Sequence, residues 1–199
     1  MSEHIDKKLL DASAEFVLTH SHDNVKRFHD ALINWGSEWC LVKPCNLPAT
    51  AYLTWTLNGD NRIDSLLSLF SQYKSQLRWE QSYTKEDGVI GEDMLAAYGF
   101  AELIGNLGPF ISEKIRCGIG VWGPNVDYPR HTHKAEEAYI VLSGSAKFKV
   151  GENPERLKTS GDIIFVESMT PHGFQTADQA MVVFYLWQAG DLRETSTFG

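Results

Sequence analysis

A chain of 199 residues with 43% hydrophobic and 22% charged residues can bury one substantial core, and its net charge of −8 argues against a broad basic surface for nucleic acid. Its longest apolar runs, such as YIVLSG and MVVFYLW, fall well short of the ~20 residues that span a bilayer, so no membrane partner is expected. The opening MSEHIDKKLLDASAEF lacks the apolar core of a signal peptide, and three cysteines make no disulfide framework; the expectation is a cytoplasmic protein with Cys117 in the core and Cys40 and Cys45 free or paired across a short loop.

The first half reads as mostly helical. Ile5, Leu9, Ala12 and Phe16 recur at helical spacing. Ser21 or Asp23 is placed to cap a second helix carrying Val25, Phe28, Leu32 and Ile33 on one face. NLPAT and LNGDNR interrupt the pattern, and a third helix is expected from about Asp64, with Leu66, Phe70, Tyr73 and Leu77 on its buried side. GEDMLAAYGFAELIG reads as a fourth short helix ending near Gly99 or Gly105. His4, His20, His22 and His29 fall in this half, where surface or capping roles are expected.

After Pro109 the period changes to two. Ile115, Cys117, Ile119 and Val121 alternate with other residues, and AYIVLSG, AKFKVG, DIIFVES and AMVVFYLW are further short strand-like runs between turn residues. Closely spaced strands of this kind predict an antiparallel sandwich or barrel. The expected plan is a mostly helical region over residues 1–108 packed on a β-barrel over residues 109–199.

The chemistry concentrates in YPRHTHKAEEAYIVLSG, Tyr128 to Gly144. His131 and His133 are two apart, so on a strand they share a face, and Glu137 and Tyr139 continue the same parity if the turn at KAE keeps the register. Ile140 and Leu142 then face the other way. A row of His, His, Glu and Tyr inside a barrel is costly unless neutralised, and a divalent metal would neutralise it. Imidazole with carboxylate suits Fe, Zn, Mn, Ni or Co without choosing among them. A solvated turn would account for HxH alone, but His172, following a proline at the end of GDIIFVESMTPH, is placed to be a distant fourth ligand. Glu136 is expected to be an exposed partner of Lys134 or Arg130.

The pattern HxH-x3-E-x6-G, met by His131, His133, Glu137 and Gly144, resembles the first motif of the cupins, metal-binding β-barrels of the double-stranded β-helix or jelly-roll type. Gly161, eleven residues before His172, resembles the start of the second motif. The glycine that usually precedes the first histidine by six residues is Asn125 here, while Glu167, Met169 and Thr176 stand where the second motif has proline, glycine and asparagine. These departures concern turns more than ligands. The implied fold is mainly β, a cupin barrel preceded by the helical half.

Y-P-x-H-x-H-x-A-x-E-x-Y, with a helical half before one barrel, resembles the cupin-type dimethylsulfoniopropionate lyases. That resemblance implies one divalent metal held by His131, His133, Glu137 and His172, with Tyr139 as the base that removes the α-proton and Tyr128 positioning substrate or sharing the proton work. It also implies release of dimethyl sulfide and acrylate from a small zwitterionic carboxylate, and cupin habits imply a homodimer. Aromatic faces suit a sulfonium cation, which makes Trp122, Phe174, Tyr185 and Trp187 candidates, with core packing the alternative for each. Lys147 either meets the anionic end of the substrate or lies on a solvated strand face. The competing readings are a cupin dioxygenase or isomerase acting on another carboxylate or enol, and a non-catalytic metal-containing cupin that binds small molecules.

Overall fold

The computed structural model describes residues 3–34, 38–54, 57–88, 90–194 and 196–198. Helix α1 is Glu3–Leu18; α2, Asp23–Lys26, and α3, His29–Ile33, are short. Strand β1 (Glu38–Trp39) precedes α4 (Asn61–Tyr73), β2 (Trp79–Glu80) and α5 (Glu92–Ala97). Then follow β3 (Tyr98–Gly105), β4 (Phe110–Ile111), β5 (Ile115–Trp122), β6 (Asp127–Thr132), β7 (Glu136–Ser143) and β8 (Ser145–Val150). The chain closes with β9 (Arg156–Thr159), β10 (Ile163–Val166), β11 (His172–Thr176), β12 (Met181–Gln188) and β13 (Thr197–Phe198). One sheet runs β1-β4-β3-β5-β12-β7-β10 with β2 on the side of β3, and the second runs β13-β6-β11-β8-β9. This is the mainly β architecture, two sheets with helices toward the N-terminus, that the pattern predicts.

Strand alternation divides the interior in two. On the larger sheet, Ile115, Cys117, Ile119 and Val121 of β5, Val182, Phe184 and Leu186 of β12, and Ala138, Ile140 and Leu142 of β7 pack with Leu9, Phe16, Leu66 and Phe70 of the helices. The opposite face carries Tyr98, Trp122, Tyr139, Val141, Val183 and Tyr185 toward the second sheet, where they meet Tyr128, Phe148 and Phe174. Side chains of successive residues point to opposite faces, so each strand supplies a lipophilic row to the helices and a mixed row to the barrel interior. Gly144 turns β7 into β8 with φ of 74°, and a Cβ there would lie 1.9 Å from the Ala180 carbonyl oxygen, so only glycine fits.

Several local expectations are corrected. The second helix is split, with Phe28 between α2 and α3, and neither Ser21 nor Asp23 caps it: His22 is the N-cap and accepts a bond from the Asn24 N–H. Val25, Phe28 and Leu32 are buried, but Ile33, off that stripe, is 63% exposed. The third helix begins earlier, at Asn61, because Asp60 accepts bonds from the N–H groups of Arg62 and Ile63. It ends at Tyr73, and buried Leu77 lies beyond it. The fourth helix stops at Ala97, and YGFAELIG is strand β3, paired antiparallel to β5 along its length. Pairing therefore crosses position 108, since β4 also runs parallel to β3. Cys40 and Cys45 are free thiols. Among the described residues no helix is long and apolar enough to cross a membrane.

Candidate metal centre

Tyr128 and His131 are three apart on β6, a spacing that on a regular strand points them to opposite faces. The register with β11 shifts here: His131 pairs with His172 and Tyr128 with Phe174, so Pro129 and Arg130 together face Gly173. This bulge brings both side chains inward, and Pro129, with no N–H for the ladder, suits it. A Cβ on Gly173 would lie 2.7 Å from the Tyr128 carbonyl oxygen. His133 leaves the end of β6, the bend at Lys134–Ala135 reverses the chain, and Glu137 and Tyr139 enter β7 on the inner face. His172 opens β11 directly across from His131.

The three histidines are buried, and one ring nitrogen from each lies within 4.8 Å of the others. Each Nδ1 is bonded to a backbone carbonyl two residues away: His131 to Pro129 at 2.9 Å, His133 to Ala135 at 2.8 Å and His172 to Thr170 at 2.9 Å. A ring that donates its Nδ1 proton there and is neutral keeps its Nε2 lone pair for the interior. Glu137 Oε2 lies 3.0 Å from His133 Nε2 and 3.3 Å from His172 Nε2, and among the described residues the latter nitrogen has no hydrogen-bond partner. Three imidazole nitrogens with a buried carboxylate fit a first-row divalent metal, and the carbonyls behind the rings fit the usual support of such ligands.

At His131 and Glu137 the electrostatics agree with that donor set. Burial, reinforced by the neighbouring His172, lowers the His131 pKa to about 3, so that ring is neutral. Burial would lower His133 too, but the hydrogen bond and charge of Glu137 outweigh it and raise its pKa. Glu137 is held ionised: burial opposes its charge, and the hydrogen bond from His133 with the neighbouring His172 ring more than compensates. Burial raises the phenols of Tyr128 and Tyr139 well above their ordinary value, with the Glu137 carboxylate adding to the rise at Tyr139.

A cavity of about 310 Å³ opens onto this cluster, lined by His131, Glu137, Tyr139, Tyr128, Trp122 and Tyr185, and also by Trp187. The remaining aromatic candidate, Phe174, lies behind this wall, stacked on Tyr128 at 5.0 Å and edge-on to Trp122 at 5.1 Å. Trp187 is engaged by the His133 ring, 4.1 Å away, and by the Arg116 guanidinium, 5.2 Å above its ring. Lys147 is not brought to the cavity: it is exposed on β8, between the buried Ala146 and Phe148. Glu136 pairs with Arg27 at 2.7 Å instead of Lys134 or Arg130, and Lys134 pairs with Glu194.

Other cavity residues escaped the sequence reading. Arg116 lies on the inner row of β5, opposite the apolar alternation that was followed, and its guanidinium is bonded to buried Glu102. Tyr98 and Phe100 also line the cavity, on a strand expected to be helix. The signal was present in the second parity of IRCGIGVW, where Arg116 and Trp122 alternate with two glycines. Gly120 is needed there, because a Cβ would come within 2.6 Å of the Trp122 ring.

The sequence profile of the dimethylsulfoniopropionate lyase family matches residues 20–183. The dimethylsulfoniopropionate lyase DddQ of Ruegeria pomeroyi is 33% identical over 115 residues, which are 58% of this chain and 56% of that relative, so the match spans little more than half of its length. Among solved structures, a chain from the crystal structures of the DMSP lyases RdDddP and RnDddQII superposes with a TM-score of 0.85 at 25% identity, covering 98% of both chains. The crystal structure of DddQ from Ruegeria pomeroyi superposes equally well, TM-score 0.85, at 23% identity over 99% of this chain and 97% of that one, a likeness of fold.

Proposed function

The chain belongs to the dimethylsulfoniopropionate lyase family, and on that premise we propose that it is a metal-dependent carbon–sulfur lyase that cleaves dimethylsulfoniopropionate, or a close analogue, to dimethyl sulfide and acrylate. The observation that carries this reading is the position of Tyr139: its phenol lines the same cavity as His131 and Glu137, two residues from that carboxylate on the inner face of β7. His131, His133, Glu137 and His172 would hold the metal. When bound, it supplies a positive charge that neutralises the substrate carboxylate and favours a nearby phenolate.

The chain's own residues then divide the work. Tyr139, as phenolate, takes the proton from the α-carbon. The electron pair left behind forms the α–β double bond, the β-carbon–sulfur bond breaks, and its pair departs with dimethyl sulfide. Tyr139 is left as a neutral phenol whose proton returns to solvent before the next turnover. Trp122 and Tyr128 offer aromatic surface to the sulfonium end of the substrate. The Trp187 ring, held against His133, serves better as a brace for that ligand than as a wall for the cation.

Headspace measurement of dimethyl sulfide over metal-reconstituted protein tests the reading. Tyr139→Phe is expected to retain its metal while turnover falls about 10²- to 10⁴-fold, the range of a lost general base. Chelation is expected to abolish release and metal readdition to restore it. Fully metallated protein that releases no dimethyl sulfide would remove the substrate assignment.

A further inference from the structure

Two polar side chains of the cavity have no part in the scheme above. Tyr185 is 7% exposed, and its hydroxyl is buried without a hydrogen-bond partner among the described residues. It lies on β12 directly across from Tyr139 of β7, on the same inner face, so the two phenols are cross-strand neighbours. The Phe100 ring meets it edge-on at 6.1 Å. Arg116 lines the same cavity on the next strand. Its Nε donates to Glu102 and its Nη1 to the Leu192 carbonyl at 2.9 Å, while its Nη2 makes no hydrogen bond among the described residues. Glu102 also accepts bonds from the N–H groups of Leu107 at 2.6 Å and Gly108 at 3.3 Å, which fixes the pair in place.

This end of the cavity therefore presents donors with no acceptor, beside a fixed positive charge. An anion with oxygen acceptors is the complementary ligand. The other end is built from Tyr98, Trp122 and Tyr128, whose faces suit a soft cation. Trp122 Nε1 is also without a partner, but its ring packs between Tyr128 and Phe174, whereas Tyr185 has the guanidinium close by. We propose that the Tyr185 hydroxyl and the Arg116 guanidinium form a carboxylate subsite that orients a zwitterionic substrate across Tyr139. The proposal rests on the lyase reading for the identity of its substrate, but not for the binding of a carboxylate.

The test uses metal-reconstituted full-length protein with two probes, acrylate for the anionic end and trimethylsulfonium for the cationic end, each followed by calorimetry. Tyr185→Phe is expected to weaken acrylate about ten- to a hundredfold, the loss of one hydrogen bond to a charged group, and to raise KM for dimethylsulfoniopropionate by a similar factor. Trimethylsulfonium affinity and metal content are expected to stay as in the parent. Arg116→Lys, which keeps a charge beside Glu102, is expected to weaken acrylate as well, and it decides the matter if Tyr185→Phe does not fold. Unchanged acrylate affinity, equal loss for both probes, or no acrylate binding by the parent would overturn the subsite. Parent protein that releases dimethyl sulfide while Tyr185→Phe binds acrylate normally sinks the subsite alone. Parent protein that binds acrylate through Tyr185 yet releases no dimethyl sulfide sinks the lyase reading alone.

Discussion

Each histidine of the centre is oriented by a carbonyl two residues away, from Pro129, Ala135 and Thr170, so every ring is aimed by its own stretch of chain. That is why the cluster was legible residue by residue: HxH-x3-E encodes a shared face locally, and the remaining histidine was flagged by its spacing from Gly161. Tyr185 was named for its ring, but its missing hydrogen-bond partner depends on strands distant in sequence. The helix-facing core holds a different buried charge. Asp6 is fully buried, with one oxygen bonded by Trp39 Nε1 at 3.0 Å and the other without a partner among the described residues. Burial raises its pKa above 3.8, and the Trp39 bond offsets only part of the rise. The stability this group contributes is fully present below its ordinary value and is lost as pH rises through the raised folded-state pKa. Asp6→Asn is accordingly expected to melt higher than the parent at pH 7, by about 2–4 °C if the gain is on the order of 1 kcal/mol. The two melting curves should converge on acidification toward pH ~4, near the ordinary Asp value. A lower melting point for Asp6→Asn at pH 7 would show that the unpartnered oxygen is not a burden.

At the scale of elements, the departures from the cupin motifs turn out to preserve backbone shape. Asn125 and Met169, which replace motif glycines, both have positive φ, 56° and 60°. Asparagine tolerates that region; methionine has no such excuse. Met169 holds its place through an N–H bond to the His133 carbonyl at 2.9 Å, and its side chain is 54% exposed. Met169→Gly should therefore lose little packing. Relief of a left-handed strain of about 1–2 kcal/mol, less glycine's chain-entropy cost of about 0.5–1 kcal/mol, leaves a net gain of roughly 0.5 kcal/mol, read as a higher urea midpoint with unchanged slope. A lower midpoint would mean that the exposed side chain contributes more than its strain costs. Strand β3 is the element the sequence concealed. EDMLAA favours a helix, and the following YGFAELIG carries period two only weakly, because its row facing the barrel mixes Tyr98, Phe100 and Glu102. Its pairing with β5 decides the conformation. The bulge at Pro129–Arg130 was hidden for a similar reason: it is a property of two strands in register, not of either one.

At the scale of the whole molecule, one sheet serves two interiors with opposite duties. Phe184 and Tyr185 are adjacent on β12, yet Phe184 packs on Phe16 and Phe70 while Tyr185 enters the cavity. Phe184→Ala is expected to cost about 3–5 kcal/mol in chemical denaturation, as for other large-to-small core changes. Below its melting range, its metal content and KM should match the parent. A selective loss of metal would show that the helix-facing core also tensions the site. By itself the sequence determined the fold class, the two faces of the central strands, and the place where three histidines, a glutamate and a tyrosine meet. Such features follow from strand periodicity and short spacings, which chirality and covalent geometry enforce within a few residues. Only the tertiary structure decided that Arg116, Tyr98 and Phe100 join the cavity, that Lys147 does not, and that Tyr185 faces Tyr139. Those outcomes depend on which strands pair and in what register, and burial and cross-strand contact set that over the whole barrel.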